Sequence, residues 1–295
     1  MKTILPKRSQ NHQEIIEQIT NIIKEQGKSK IAYVILFGSF AKGTWVDDAR
    51  TEKDGTNTFY NSDYDFLVLT SKHNDGQGRK ASDLERKIKQ QIERKYLDRH
   101  RVVSIIVESL NRVNNDLSKG HYFFSDIKKE GILLYKADKA VELKEPKELT
   151  NVERKEMAQD DYDVWFKKGD DFLKDSNYAL VNNRNNNSAF YLHQATEALF
   201  NCIELVFTNY KPKIHDIEQL NRRCLPFCKE LENIFPKNTQ TEKDCFELLK
   251  LAYVDARYDK NYSITKEQLK YLITRVEKLK EVATQACLKK IESFK

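Results

Sequence analysis

The stretch that most constrains this chain is residues 31–70. It begins with the apolar run Ile31, Ala32, Tyr33, Val34, Ile35, Leu36 and Phe37, then breaks into Gly38, Ser39, Phe40, Ala41, Lys42 and Gly43. A run this short, rich in β-branched and aromatic residues and ended by glycine, predicts a buried strand. After a polar insert, Ser62, Asp63, Tyr64 and Asp65 lead into Phe66, Leu67, Val68 and Leu69, a second strand with two acids at its start. Strand side chains alternate between faces, so Asp63 and Asp65 project to one side. Hard carboxylate oxygens converging on a point suit Mg²⁺. The neighbouring glycine-serine turn offers backbone N–H groups and a hydroxyl to phosphate oxygens. Together these residues predict a metal–triphosphate site.

Gly38, Ser39, Ala41 and Gly43, followed by Asp63 and Asp65, resemble the signature of the polymerase β-like nucleotidyltransferase superfamily in its minimal form. A glycine-serine pair or two acids at a strand start is common alone; the two in this order, each beside an apolar strand, are far more specific. The resemblance implies Asp63 and Asp65 as catalytic residues and metal ligands, and Gly38, Ser39, Lys42 and Gly43 as nucleotide-binding residues. It implies Mg²⁺ as cofactor and ATP, or another nucleoside triphosphate, as substrate. The gap between Gly43 and Asp63 exceeds the compact motif. Residues 45–61, charged and containing Asp54 and Gly55, read as an inserted loop or hairpin over the site.

The superfamily also implies a third carboxylate on a third strand, here residues 101–108. Alternation puts Val102, Ser104, Ile106 and Glu108 on one face. The matching position is nearest Ser104, which cannot serve as an acid. Glu108 lies about 13 Å further along. It either completes the catalytic set in a shifted register or is a solvated acid at a strand end.

The 295 residues suffice for two domains. No run of about 18 apolar residues occurs and no signal-peptide pattern opens the chain, so neither a membrane span nor secretion is expected. Five cysteines without framework spacing suggest the reducing cytoplasm. Cys224 and Cys228, four apart, lack a second pair and read as structural. The net charge of +6 permits contact with nucleotides or RNA without arguing for it.

Periodic isoleucines predict a helix over residues 11–24 and a charged helix over 82–96, with short helices over 111–117 and 122–129 and a last strand over 132–135. Residues 141–150, charged and holding Pro146, read as a linker. Thr150 and Glu153 form a capping box that opens an all-helical half. Helices are expected from there to about 181, over 188–207, from Asp216 onward, over 241–258 and over 265–293. The expected class is α+β: an N-terminal polymerase β-like nucleotidyltransferase domain with a mixed sheet (1–140), followed by a C-terminal all-α helical bundle (151–295).

That second half resembles the HEPN domain, through residues 190–199, 213–220 and 252–262. HEPN domains that cleave RNA carry an arginine followed, four to six residues on, by a histidine acting as acid or base. Arg257 fits the first half, but Tyr262, Ser263 and Ile264 stand where histidine is needed. Arg94 and His100 repeat the spacing only in the wrong domain. His193, Glu197, Arg257 and Tyr262 form the candidate polar site of this half, and Tyr262 is a conceivable acceptor of AMP by analogy with two-gene systems. His215 reads as a capping or packing residue.

The leading expectation is therefore an Mg²⁺-dependent nucleotidyltransferase moving AMP from ATP to an acceptor hydroxyl: a small molecule, a protein tyrosine or an RNA end. The resemblance implies a toxin–antitoxin-like or defence role and a homodimer formed through the bundle. The alternatives are a nucleotide-binding sensor that does not turn over and an RNA-cleaving toxin using Arg257.

Overall fold

In the computed structural model the described residues are 1–51, 57–95 and 102–295. Asp54, Gly55 and His100 lie outside them. The chain divides into two units, Met1–Glu148 and Leu149–Lys295.

The first unit opens with a 3₁₀ segment, Lys7–His12, then helix α1 (Gln13–Gly27) and strand β1 (Ile31–Phe37). A five-residue turn of helix, α2 (Gly38–Lys42), leads to the hairpin β2 (Asp47–Thr51) and β3 (Asn57–Asn61), whose strands pair antiparallel from Asp47↔Asn61 to Thr51↔Asn57. The insert expected between Gly43 and Asp63 is thus a hairpin. Strand β4 (Tyr64–Thr70), helix α3 (Gly78–Lys95), strand β5 (Val103–Ser109), helices α4 (Leu110–Ser118) and α5 (Tyr122–Glu130), and strand β6 (Ile132–Lys136) complete the unit.

The main sheet runs β5-β4-β1-β6. Strands β4 and β5 are parallel, whereas β1 is antiparallel to both β4 and β6, so the sheet is mixed as expected. One face is buried by α1 and α3: Ile16, Ile19, Ile23 and Ile88 pack on Val34, Leu36, Phe66, Val68, Ile105 and Val107. The other face carries Phe37 edge-on against Phe123 of α5, 5.7 Å between ring centroids. Burial on both faces explains why β1 reads as a continuous apolar run rather than an alternating one.

Residues 141–147 have no regular structure, but they are held onto the first unit. Asn114 of α4 donates to the Glu142 carbonyl and accepts from the Lys144 N–H. Tyr33 donates to the Val141 carbonyl, Lys128 to the Leu143 and Lys144 carbonyls, and the Lys147 N–H to the Leu117 carbonyl. The segment lacks sequence periodicity because most of its backbone partners are side chains, which leave no repeating pattern. The boundary between the units accordingly falls after Glu148.

The second unit is helical: α6 (Asn151–Val181), α7 (Asn185–Thr208), α8 (Ile217–Cys224), α9 (Gln240–Leu251), the single turn α10 (Asp255–Tyr258) and α11 (Lys266–Glu292). The Thr150–Glu153 capping box forms, and Asp216 caps α8 by accepting from the N–H groups of Glu218 and Gln219. Helix α7 is buried almost all round from Leu192 to Val206 and forms the centre of the bundle. The single helix expected over 241–258 is broken after Leu251. Where it stops, the Leu248 carbonyl accepts from the Tyr262 hydroxyl as well as from the Ala252 N–H, and the Leu249 carbonyl accepts from His193. All five cysteines are free and buried. Among the described residues no helix is long and apolar enough to cross a membrane.

Candidate active site

Strand register brings the predicted residues together. Phe37, the last residue of β1, pairs with Asp65 near the start of β4. The next residue, Gly38, turns the chain at φ +72°, a conformation that favours glycine. A Cβ placed on Gly38 would sit 2.4 Å from Oδ2 of Asp65. Glycine is therefore required twice, by the backbone angle and by contact with the carboxylate. At the other end of the turn Gly43 takes φ +74° and closes α2, its N–H donating to the Ser39 carbonyl. Gly38, Ser39 and Gly43 thus belong to one tight loop whose first residue, Gly38, lies against Asp65. Asp63 lies two residues earlier, one residue before β4 begins.

Behind the acids the chain is riveted by aromatic rings. Tyr64, between Asp63 and Asp65, is 2% exposed and stacks on Phe40 of α2 at 4.3 Å. Phe40 stacks in turn on Trp45 at 5.3 Å. His12 meets Phe40 and Trp45 edge-on, and its Nδ1 is 2.6 Å from the Tyr64 hydroxyl. Sequence reasoning missed His12. The available signal was the large aromatic residue set between the two acids, which must point away from them and find a partner below.

Lys42 is ion-paired to Glu130 of α5 at 2.6 Å. Both side chains are nearly half exposed, and such a surface pair contributes only about 0–1 kcal/mol, so it yields readily to a better anion. Ser104 pairs with Asp65 across β4 and β5, at the position that lacks a carboxylate. Glu108 pairs instead with Leu69, four residues along the strand. It is fully buried and accepts from Nη1 of Arg112 at 3.0 and 3.2 Å. The structure does not bring Glu108 to the Asp63–Asp65 pair. Its ion pair with Arg112, one helical turn on in α4, holds the start of that helix to the strand.

In the second unit His193 and Glu197 do meet. His215 donates from Nδ1 to both Glu197 oxygens at 3.1 Å and stacks on Tyr253 at 4.7 Å. The His193 ring lies between two carbonyls, Nδ1 at 2.9 Å from Leu249 and Nε2 at 3.2 Å from His215. Burial is the strongest influence on this imidazole and pushes its pKa down. Arg257 meets the cluster at Tyr253, whose carbonyl accepts from its Nε at 3.0 Å and whose ring centre lies 5.3 Å from its guanidinium, which is also 4.5 Å from the Phe190 ring centre. Tyr262 is turned inward: its hydroxyl donates to the Leu248 carbonyl at 2.9 Å, and burial raises its pKa well above the ordinary phenol value.

Comparison with known proteins bears on each unit separately. Residues 17–140 match the family described as polymerase beta, nucleotidyltransferase, and residues 162–287 match the HEPN domain. The chain therefore joins a polymerase β-type nucleotidyltransferase domain to a HEPN domain. A solved nucleotidyltransferase-like protein from Exiguobacterium sibiricum 255-15 is similar at 12% identity, over 93% of this chain and 78% of that one. Its TM-score of 0.27 is too low to bear on the fold. No curated protein matches.

Gly38→Ala is expected to destabilise the first unit by about 1–2 kcal/mol from backbone conformation alone, with the Asp65 clash added. Chemical denaturation checks this, and unchanged stability would contradict the close packing. For His193, a folded pKa below the unfolded value of about 6.5 favours the folded state fully above that pH. Stability should fall as the pH drops below 6.5, more gently in His193→Gln, as thermal melts between pH 7.5 and 5 would reveal.

Proposed function

We propose that the first unit is a divalent-metal-dependent nucleotidyltransferase that moves a nucleoside monophosphate, AMP from ATP foremost, onto an acceptor hydroxyl. The observation that carries this reading is the close approach of Gly38 to Asp65, which sets a glycine turn directly beside the acid-bearing strand. Asp63 and Asp65 are the residues that would hold Mg²⁺. The fit is supported by the space that only glycine leaves at position 38 and by the oxygen-only donor set. Among the described residues no group of three or more His, Cys, Asp or Glu could hold a metal. The remaining ligands would accordingly be phosphate and water oxygens, as is usual for Mg²⁺. When bound, such a cation neutralises phosphate charge and steadies the attacking and leaving oxygens of an in-line displacement.

The chain's own contribution is position. Backbone N–H groups and the Ser39 hydroxyl would orient the triphosphate, and Lys42 would exchange Glu130 for a phosphate oxygen. The acceptor hydroxyl would attack the α-phosphorus, and pyrophosphate would leave. Glu108 has no part in this reading, because Arg112 holds it at the far end of β5. A toxin–antitoxin-like or defence role belongs to the same proposal, supported by the pairing of the two domain types.

A second reading, nucleotide binding without turnover, is favoured by Ser104 beside Asp65, where no carboxylate is available to take the acceptor's proton. Pyrophosphate release from each of the four nucleoside triphosphates separates the two. Release by the wild type, lowered at least a hundredfold in Asp63→Asn, is expected for the transferase. Undiminished release in that variant would overturn the assignment. Nucleotide-dependent thermal stabilisation with no release would favour the sensor.

A further inference from the structure

We infer that His12 is a positioning residue for the two carboxylates, acting through Tyr64; the inference rests on the reading of Asp63 and Asp65 as metal ligands. Tyr64 is the one side chain between the two acids, and strand alternation sends it to the opposite side of the backbone. Any rotation or sideways shift of Tyr64 therefore moves both carboxylates at once. Its ring is held by the Phe40 stack, and its hydroxyl by His12 Nδ1 at 2.6 Å.

His12 is in turn fixed by its neighbours. Its ring is packed edge-on to Phe40 at 5.0 Å and Trp45 at 4.8 Å. It closes the 3₁₀ segment Lys7–His12, from which Ser9 donates to the buried Phe40 carbonyl at 2.8 Å. The guanidinium of Arg8, from the same segment, covers the Trp45 ring at 4.9 Å. Two consecutive side chains of this segment, Arg8 and Ser9, and its last residue, His12, thus do one job between them. Ser9 holds the phosphate turn from behind, Arg8 holds the ring that covers it, and His12 links that turn to the acid strand.

The tolerance for error is small, because the Gly38 position and the Asp65 oxygen already stand as close as a missing Cβ allows. A hydrogen bond that sets the height of Tyr64 sets the width of the gap between turn and carboxylates. Partners of this outer kind commonly change metal affinity by about 10- to 100-fold without touching the metal.

The test uses the full chain as wild type, Asp63→Asn, His12→Phe, His12→Gln, Tyr64→Phe and the His12→Phe/Tyr64→Phe double variant. Manganese binding without nucleotide is followed by electron paramagnetic resonance, and amide hydrogen exchange is followed by mass spectrometry. The expected result is Mn²⁺ binding that is lost in Asp63→Asn and weakened about tenfold in His12→Phe. His12→Gln, which can still bond the phenol, should recover most of the affinity. The double variant should be no worse than the single ones, since both remove the same bond. Wild-type affinity in His12→Phe, no rescue by glutamine, or additive losses would each overturn the inference. Should the wild type itself bind no Mn²⁺, the metal reading fails, and hydrogen exchange alone decides on His12. Faster exchange confined to residues 38–44 and 63–66 in His12→Phe upholds its positioning role, and unchanged exchange there removes it.

Discussion

The contact between Gly38 and Asp65 is the constraint on which the rest of the first unit depends. Strand β1 must end at Phe37, opposite Asp65, and the chain must then reverse within one residue without a side chain in the way. A left-handed angle at Gly38 and another at Gly43 accomplish this within a five-residue turn. The sheet order follows from the same requirement. Strand β1 sits beside β4 so that its carboxyl end delivers the turn to the acids, while β5 flanks β4 in parallel and brings Ser104 alongside Asp65. Hydrophobic burial on both faces makes this central pair rigid, and a rigid base suits a site built on position and charge.

Much of this was legible in the sequence, for identifiable reasons. A glycine that ends a run of Tyr, Val, Ile, Leu and Phe is a strong local signal, since buried strands leave few other ways to stop. The Thr150–Glu153 capping box and the Asp216 cap were legible because their partners lie within three residues. The hairpin in the insert was legible as an excess of length with Asp54 and Gly55 inside it. The end of α9 was not, because the bonds that gather there, from His193 to the Leu249 carbonyl and from Tyr262 to that of Leu248, come from outside the helix. Nor was the role of Glu108, since alternation places it on the correct face and only Arg112 and strand register show where its carboxylate goes. His12 was missed for the same reason: its partner Tyr64 is 52 residues away.

The helical unit shows how a site motif and its surroundings can separate. The expected histidine after Arg257 is absent from the chain, and Tyr262, which follows at that spacing, spends its hydroxyl on a backbone carbonyl in the core. Imidazoles are present in this unit, but they arrive from α7 and from the loop before α8, gathered around Glu197 and Tyr253. Their bonds to carbonyls and to a carboxylate tie α7 to the end of α9 and to that loop. The cluster accounts for local structure before any chemistry is asked of it.

The most direct measurement is a crystal structure of the chain with Mn²⁺ and a non-hydrolysable nucleoside triphosphate analogue, with data collected at the manganese edge. The account predicts an anomalous peak between the carboxylates of Asp63 and Asp65, with the triphosphate lying along Gly38 and Ser39. A nucleotide bound elsewhere, or bound at that turn with no manganese between the two acids, would contradict it.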